Sequence, residues 1–156
     1  MYTWGDSTFG QLGLGDLHES PHPRLVPTLA NENVVSVECG QYHTLALTNQ
    51  GSVFAWGWGV HGQLGLGSIE DERIPKYVHT LKEHVIVDIA AGHGHSIVLT
   101  DKGHVYSFGS SVLGQLGTGN STKSSVPVLV KGFYGKVVKV ATGYFHSVSI
   151  KKKIEF

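Results

Sequence analysis

The chain has 156 residues, 40% of them hydrophobic, with 12 Lys and Arg balanced by 12 Asp and Glu. That size suits a domain with a buried core and excludes wholesale disorder, and zero net charge argues against a bulk nucleic-acid or anionic-membrane surface. No apolar run approaches the roughly 20 residues of a membrane helix, and the single Cys39 excludes an intramolecular disulfide.

The outstanding count is 21 glycines against 5 prolines, with no three-residue period, which points to many tight turns. Tyr2-Thr3-Trp4 opens as a β-like run, and Trp4-Gly5 leads to a glycine turn, Phe9-Gly-Gln-Leu-Gly-Leu-Gly15. Val34–Cys39 is the next β-branched run, then Gly40-Gln41-Tyr42-His43-Thr44, then Thr44–Thr48. Asn49-Gln50-Gly51 is a hairpin turn before Ser52–Trp56. The series then repeats: His61–Gly67, Val85–Ala90, Gly92-His93-Gly94-His95-Ser96, Ser96–Thr100, the turn Asp101-Lys102-Gly103, and His104–Phe108. A third round gives Leu113–Gly119, Val137–Ala141, Gly143-Tyr144-Phe145-His146-Ser147 and Ser147–Ile150. No segment sustains a 3.6-residue period, so no long helix is predicted.

The three glycine turns start 52 residues apart, as do Trp4, Trp56 and Phe108; His43, His95 and His146 are spaced by 52 and 51. Several elements sharing one period mark internal repeats, each burying its face on its neighbours. Three or four short antiparallel strands per repeat is the content of a propeller blade.

The GQLGxG turn, the GxxH[ST] element and the aromatic–Gly pair resemble the regulator of chromosome condensation (RCC1) repeat family of seven-bladed propellers. An all-β fold follows: two full four-stranded blades, about 34–81 and 85–131, with complementary half blades at 2–30 and 137–150. The repeat domain is read as 1–150, in repeats of about 2–50, 51–102 and 103–150, with a divergent basic tail at 151–156. Three blades fall below the usual four to eight. Open blade edges predict a piece of a longer propeller, or self-association through those edges.

His43, His95 and His146 recur once per repeat and are read as architectural, each knitting adjacent blades. Trp4, Trp56 and Phe108 are read as packing aromatics, and Gly10, Gly13, Gly62, Gly65, Gly114 and Gly117 as turn positions. Trp58 lies outside the aromatic register. Cys39, opposite Ala91 and Thr142 in the other repeats, is read as a small buried strand-end residue. Gly57–Gly62 matches GxGxxG, but a Gly-rich turn follows where a nucleotide site needs a helix. His93 and His95 share one strand face, and no third metal ligand stands at suitable spacing. No cofactor, metal or catalytic residue is assigned.

The family resemblance directs attention to the residues between glycine and histidine of GxxH. In relatives that exchange guanine nucleotide on the Ran GTPase, acidic and histidine residues there do the work; in plant ultraviolet receptors, Trp and Arg occupy the loop. Here the loops offer Gln41, Tyr42, His93, Tyr144 and Phe145, with no acid. An aromatic, amide-bearing rim suits protein contact. The expected function is a non-catalytic protein-interaction module for a small GTPase or a ubiquitin-pathway substrate. Exchange activity on a Ran-like GTPase is the alternative, and chromatin binding the second. The N-terminus lacks a basic segment followed by an apolar stretch, so a cytoplasmic or nuclear, intracellular protein is expected.

Overall fold

The computed structural model describes residues 1–153. Twelve strands form four antiparallel sheets. β1 (Tyr2–Gly5) pairs β2 (Ser20–Leu25) as an N-terminal half blade. Blade 1 is β3 (Val34–Cys39), β4 (His43–Thr48), β5 (Val53–Gly57) and β6 (Glu72–Tyr77), hydrogen-bonded in chain order. Blade 2 repeats this order with β7 (Ile86–Ala91), β8 (His95–Thr100), β9 (Val105–Gly109) and β10 (Ser124–Leu129). β11 (Val137–Thr142) and β12 (Ser147–Lys151) form a C-terminal half blade. These are the two full blades and two halves that the repeats predict.

The first strands β3, β7 and β11 lie side by side, so the blades converge there. The second strands β4 and β8 are buried along their whole length, because neighbouring blades cover both of their faces. Leu45 and Leu47 of β4 face blade 2, where Ile89, Val98 and Phe108 meet them. Ala46 and Trp56 face the N-terminal half, against Val26 and Leu29. Ile97, Leu99 and Val105 pack in turn on Val137 and Val140. The core therefore lies between blades, and no sheet holds a core of its own.

The outermost strands are the ones the β pattern misses. They carry Pro21 and Pro23, Pro75, and Pro127. Proline removes a ladder donor, and an edge strand tolerates that loss because no further strand pairs with its outer side. Residues 68–73 and 120–125, polar stretches without a β-like run, thus lead into β6 and β10. Short 3-10 turns at Pro27–Leu29 and His79–Leu81 then lead to the next blade and seat Leu29 and Leu81 in the core. At the C-terminus the blade backbone continues past Ile150: the Lys152 amide donates to Lys136 O, as Asp101 does to Val85 O. Residues 154–156 of the predicted basic tail lie outside the described residues.

The GQLG turns set the spacing between blades. Gly10, Gly13, Gly62, Gly65, Gly114 and Gly117 all have φ between 67° and 84°, the left-handed region that favours glycine. A Cβ on Gly13 would meet Trp56 Nε1 at 2.8 Å, and one on Gly65 would meet Phe108 Cε2 at 2.8 Å. Each second glycine thus lies against the aromatic residue of the following blade. Trp56 and Phe108 are fully buried, as packing aromatics should be.

Trp4 corrects that expectation: it is 62% exposed. No preceding turn covers it, and its half blade has no inner strands. Cys39 is exposed rather than buried. Its position, shared with Ala91 and Thr142, lies on a shallow groove across the ends of the first strands.

Gly65→Ala should lower stability by roughly 2–4 kcal/mol, combining left-handed strain with a clash against Phe108. Gly135→Ala, at φ 104° with nothing within 4 Å, should cost only the strain, about 1–2 kcal/mol. Paired denaturant melts measure the difference.

Candidate functional site

Two layers meet where the GxxH loops leave the first strands, a buried polar layer and an aromatic surface above it. His43 Nε2 lies 2.9 Å from Ser96 Oγ, and Ser96 Oγ donates to Gln63 O at 2.7 Å. His95 Nε2 lies 3.2 Å from Ser147 Oγ, which donates to Gln115 O at 2.6 Å. Each serine has one proton and gives it to a carbonyl, so the imidazole donates from Nε2. Three segments are tied this way: a histidine, the next blade's second strand, and the turn between them. At the first joint Thr44 Oγ1 and Trp56 Nε1 both donate to Gln11 O, at 2.9 and 2.8 Å.

The other edge of each ring stands against a glycine. A Cβ on Gly40 or Gly92 would collide with His43 or His95, which is why GxxH opens with glycine although its φ is ordinary. Nδ1 of both rings is buried with no hydrogen-bond partner among the described residues. Protonation would put a buried N–H there without an acceptor. Burial, followed by the neighbouring imidazole charges, holds His43 down to about 3, and burial holds His95 down to about 4 against the raising effect of the His146 backbone. The hydrogen bond runs to the next blade's hydroxyl. His146 corrects the third architectural assignment: it is exposed, because no following blade covers it.

Above this layer lies a strip of rings. Phe9 and Tyr42 have centroids 4.8 Å apart, and both pack on Trp58, at 5.6 and 5.7 Å. Trp58 meets His61 at 4.8 Å and His93 at 5.9 Å, both edge-on. His93 meets Tyr144 at 4.4 Å and Phe145 at 5.2 Å, and those two are 4.5 Å apart. Tyr144 Oη donates to Gln41 Oε1 at 2.8 Å, bridging the C-terminal half and blade 1. The five rim residues singled out in the sequence are therefore brought into one surface. Partial burial holds His61 and His93 below the ordinary imidazole value, with Lys123 adding to the effect at His61. The strip is thus uncharged near neutral pH.

Sequence reasoning missed three members: Phe9, Trp58 and His61. Phe9 and His61 share one repeat position, immediately before GQLG. Trp58 stands where the other repeats have Asp6 and Ser110, and that departure was the available signal. It has a cost. Gln11 Nε2 donates to Asp6 Oδ2 at 2.6 Å, and Gln115 Nε2 to Ser110 Oγ at 3.4 Å. Gln63 Nε2 is buried with no partner among the described residues, because Trp58 replaces the acceptor.

The model of the regulator of chromosome condensation (RCC1) repeat matches residues 1–47, 50–99 and 102–150. The chain belongs to the RCC1 repeat family. It is 39% identical over 150 residues to the human E3 ubiquitin-protein ligase HERC2, covering 96% of this chain and 3% of that protein. It is 34% identical over 154 residues to the ultraviolet-B receptor UVR8 of Arabidopsis thaliana, covering 98% and 35%. Among solved structures, Prp20p of Saccharomyces cerevisiae superposes with a TM-score of 0.83 at 22% identity, over 97% of this chain and 40% of that one. The chain thus spans a minor part of each relative. Among the described residues no three His, Cys, Asp or Glu side chains converge as metal ligands, and no helix is long and apolar enough to cross a membrane.

The buried imidazoles set a pH dependence. Their folded pKa lies below the unfolded value of about 6.5, so the unfolded chain takes up protons first as pH falls. Their contribution is complete above pH ~6.5 and is lost progressively towards the folded values. Melts at pH 7 and pH 5 should differ by roughly 3 kcal/mol. His43→Asn should lower stability at pH 7 and remove about half of that pH dependence.

Proposed function

We propose that the chain is a non-catalytic protein-interaction module, and that the aromatic strip is its docking surface for a protein partner. The observation that carries this reading is the continuity of the strip: seven rings from two blades and both half blades. Tyr144 is 53% and Phe145 47% exposed, although both are large and apolar. Side chains of this type dominate binding energy where a partner excludes water. The polar layer beneath fixes the backbone that presents them, so little ordering cost remains at binding. The similarity to HERC2 favours a regulatory or substrate-recruiting role in the ubiquitin pathway.

A second reading, nucleotide exchange on a Ran-like GTPase, draws on Prp20p, whose structure was described together with its binding to Gsp1p and histones. The strip speaks against it for this chain. Its GxxH loops carry no carboxylate, and Asp6, at the neighbouring turn, is engaged by Thr8 and Gln11. Chromatin binding lacks the cationic excess that phosphate contacts need.

Affinity capture from cells with quantification should recover partners that a Tyr144→Ala/Phe145→Ala double variant loses tenfold or more. Lys102→Ala, away from the strip, should retain them. Retention by the double variant would end the docking assignment. In a nucleotide-release assay the chain should leave GDP dissociation from a Ran-type GTPase unchanged; a tenfold acceleration would put exchange in its place.

A further inference from the structure

We propose that the connection from β10 to β11 forms, with the turn between β8 and β9, a binding site for a small ligand bearing clustered phosphates. The balanced total charge conceals an uneven distribution. Residues 1–101 carry 11 Asp and Glu against 4 Lys and Arg, whereas 102–150 carry 5 Lys and no acid. Three of those lysines, Lys102, Lys131 and Lys136, line one cavity of about 450 Å³, with His104 beside them. That volume lies within the range of about 300–1,000 Å³ common to small-molecule sites. No carboxylate lines the cavity, and none of the three lysines forms an ion pair among the described residues.

The backbone departs from its repeat equivalents at the same place. The connections 27–33 and 79–85 each contain a 3-10 turn. In them the amides of Leu29, Ala30 and Glu32, and of Leu81, Lys82 and His84, donate to preceding carbonyls. The third connection, Lys131-Gly-Phe-Tyr-Gly-Lys136, is one residue shorter and has no such turn. Among the described residues none of its six amides donates to a backbone carbonyl. Gly132 and Gly135 stand at φ 95° and 104°, and left-handed residues among ordinary ones turn neighbouring N–H groups to one side, the arrangement by which backbone holds anions. Unspent amides and unpaired lysines thus share one segment.

The cations are particular to this connection. Lys136 stands where the other repeats have Asn33 and Val85, Lys131 where they have Pro27 and His79, and Lys102 where blade 1 has Gln50. A Cβ on Gly103 would meet Lys136 Cγ at 2.5 Å, so the Lys136 stem lies on the turn that bears Lys102. Each ammonium is a compact charge with three donors and no acceptor. Three around one cavity repel one another until an anion stands between them, and a phosphate brings acceptor oxygens on several sides with nearly two charges. At the joint between blades 1 and 2, where a full blade follows, the Lys82 and Glu83 side chains are still 53% and 81% exposed. A following blade therefore leaves this face of a connection accessible.

Inositol hexakisphosphate, titrated calorimetrically at about 0.15 M salt, is the first probe. It should bind the chain, and Lys131→Gln/Lys136→Gln should weaken that binding tenfold or more. Lys82→Gln, in the equivalent connection of blade 1, should leave it unchanged, as should the Tyr144→Ala/Phe145→Ala variant of the strip. Acetylation of the unsubstituted chain, read by mass spectrometry, should slow at Lys102, Lys131 and Lys136 when the probe is present; that measurement needs no variant. Phosphatidylcholine vesicles with and without phosphatidylinositol bisphosphate separate the sources of phosphate. Retention on the phosphorylated vesicles assigns a lipid headgroup, and binding of the free probe alone assigns a soluble ligand. Failure of both probes to bind overturns the proposal, as does an affinity unchanged in the double lysine variant with protection spread evenly over all lysines.

Discussion

The joint between blades depends on a hydroxyl with one proton and two obligations. Ser96 and Ser147 each give their hydrogen to a turn carbonyl and accept from an imidazole of the preceding blade. A strand, a turn and a neighbouring sheet are thereby fixed by two hydrogen bonds, buried at Ser96 and partly buried at Ser147. Low local dielectric strengthens both bonds and makes the loss of either expensive. The remaining repeat signature follows from this geometry. Glycine must precede the histidine by three residues because the ring lies on its Cα. Glycine must also stand under the next blade's aromatic, because the turn approaches to contact.

The same logic orders the architecture outwards. The cores lie between sheets, so a blade is stable only where it has a neighbour. Trp56 and Trp4 occupy the same repeat position, and one is buried while the other faces solvent. His95 and His146 differ in the same way. Position in the repeat sets the chemistry of a residue, and the presence of a neighbour sets its environment.

This explains how much was legible in the sequence. The run 44–48 is visible because its strand is buried on both faces and the composition shows it, and 34–39 is visible because its β-branched residues recur in the other repeats although Val35 and Val37 are exposed. The outer strands were hidden by Pro75 and Pro127, which an unpaired edge accepts. Burial at Trp4, His146 and Cys39 was misjudged because the repeat average was carried to open ends and to a rim position. At the surface, Gln41, Tyr42, His93, Tyr144 and Phe145 were found by their place in GxxH. Phe9, Trp58 and His61 belong to a different loop, and only the fold brings the two loops together.

The orphaned amide of Gln63 has a consequence beyond its own turn. Three turns of common design hold their glutamines unequally: one against a carboxylate, one against a hydroxyl, and one against nothing. An unpaired buried donor costs about 1–3 kcal/mol. The indole responsible is the central ring of the strip, touching four others. The strip thus gains its central ring at the cost of one buried hydrogen bond, directly beneath the surface proposed for docking. The repeats share one design, and their symmetry is broken at the turn beneath Trp58, under the surface proposed for docking.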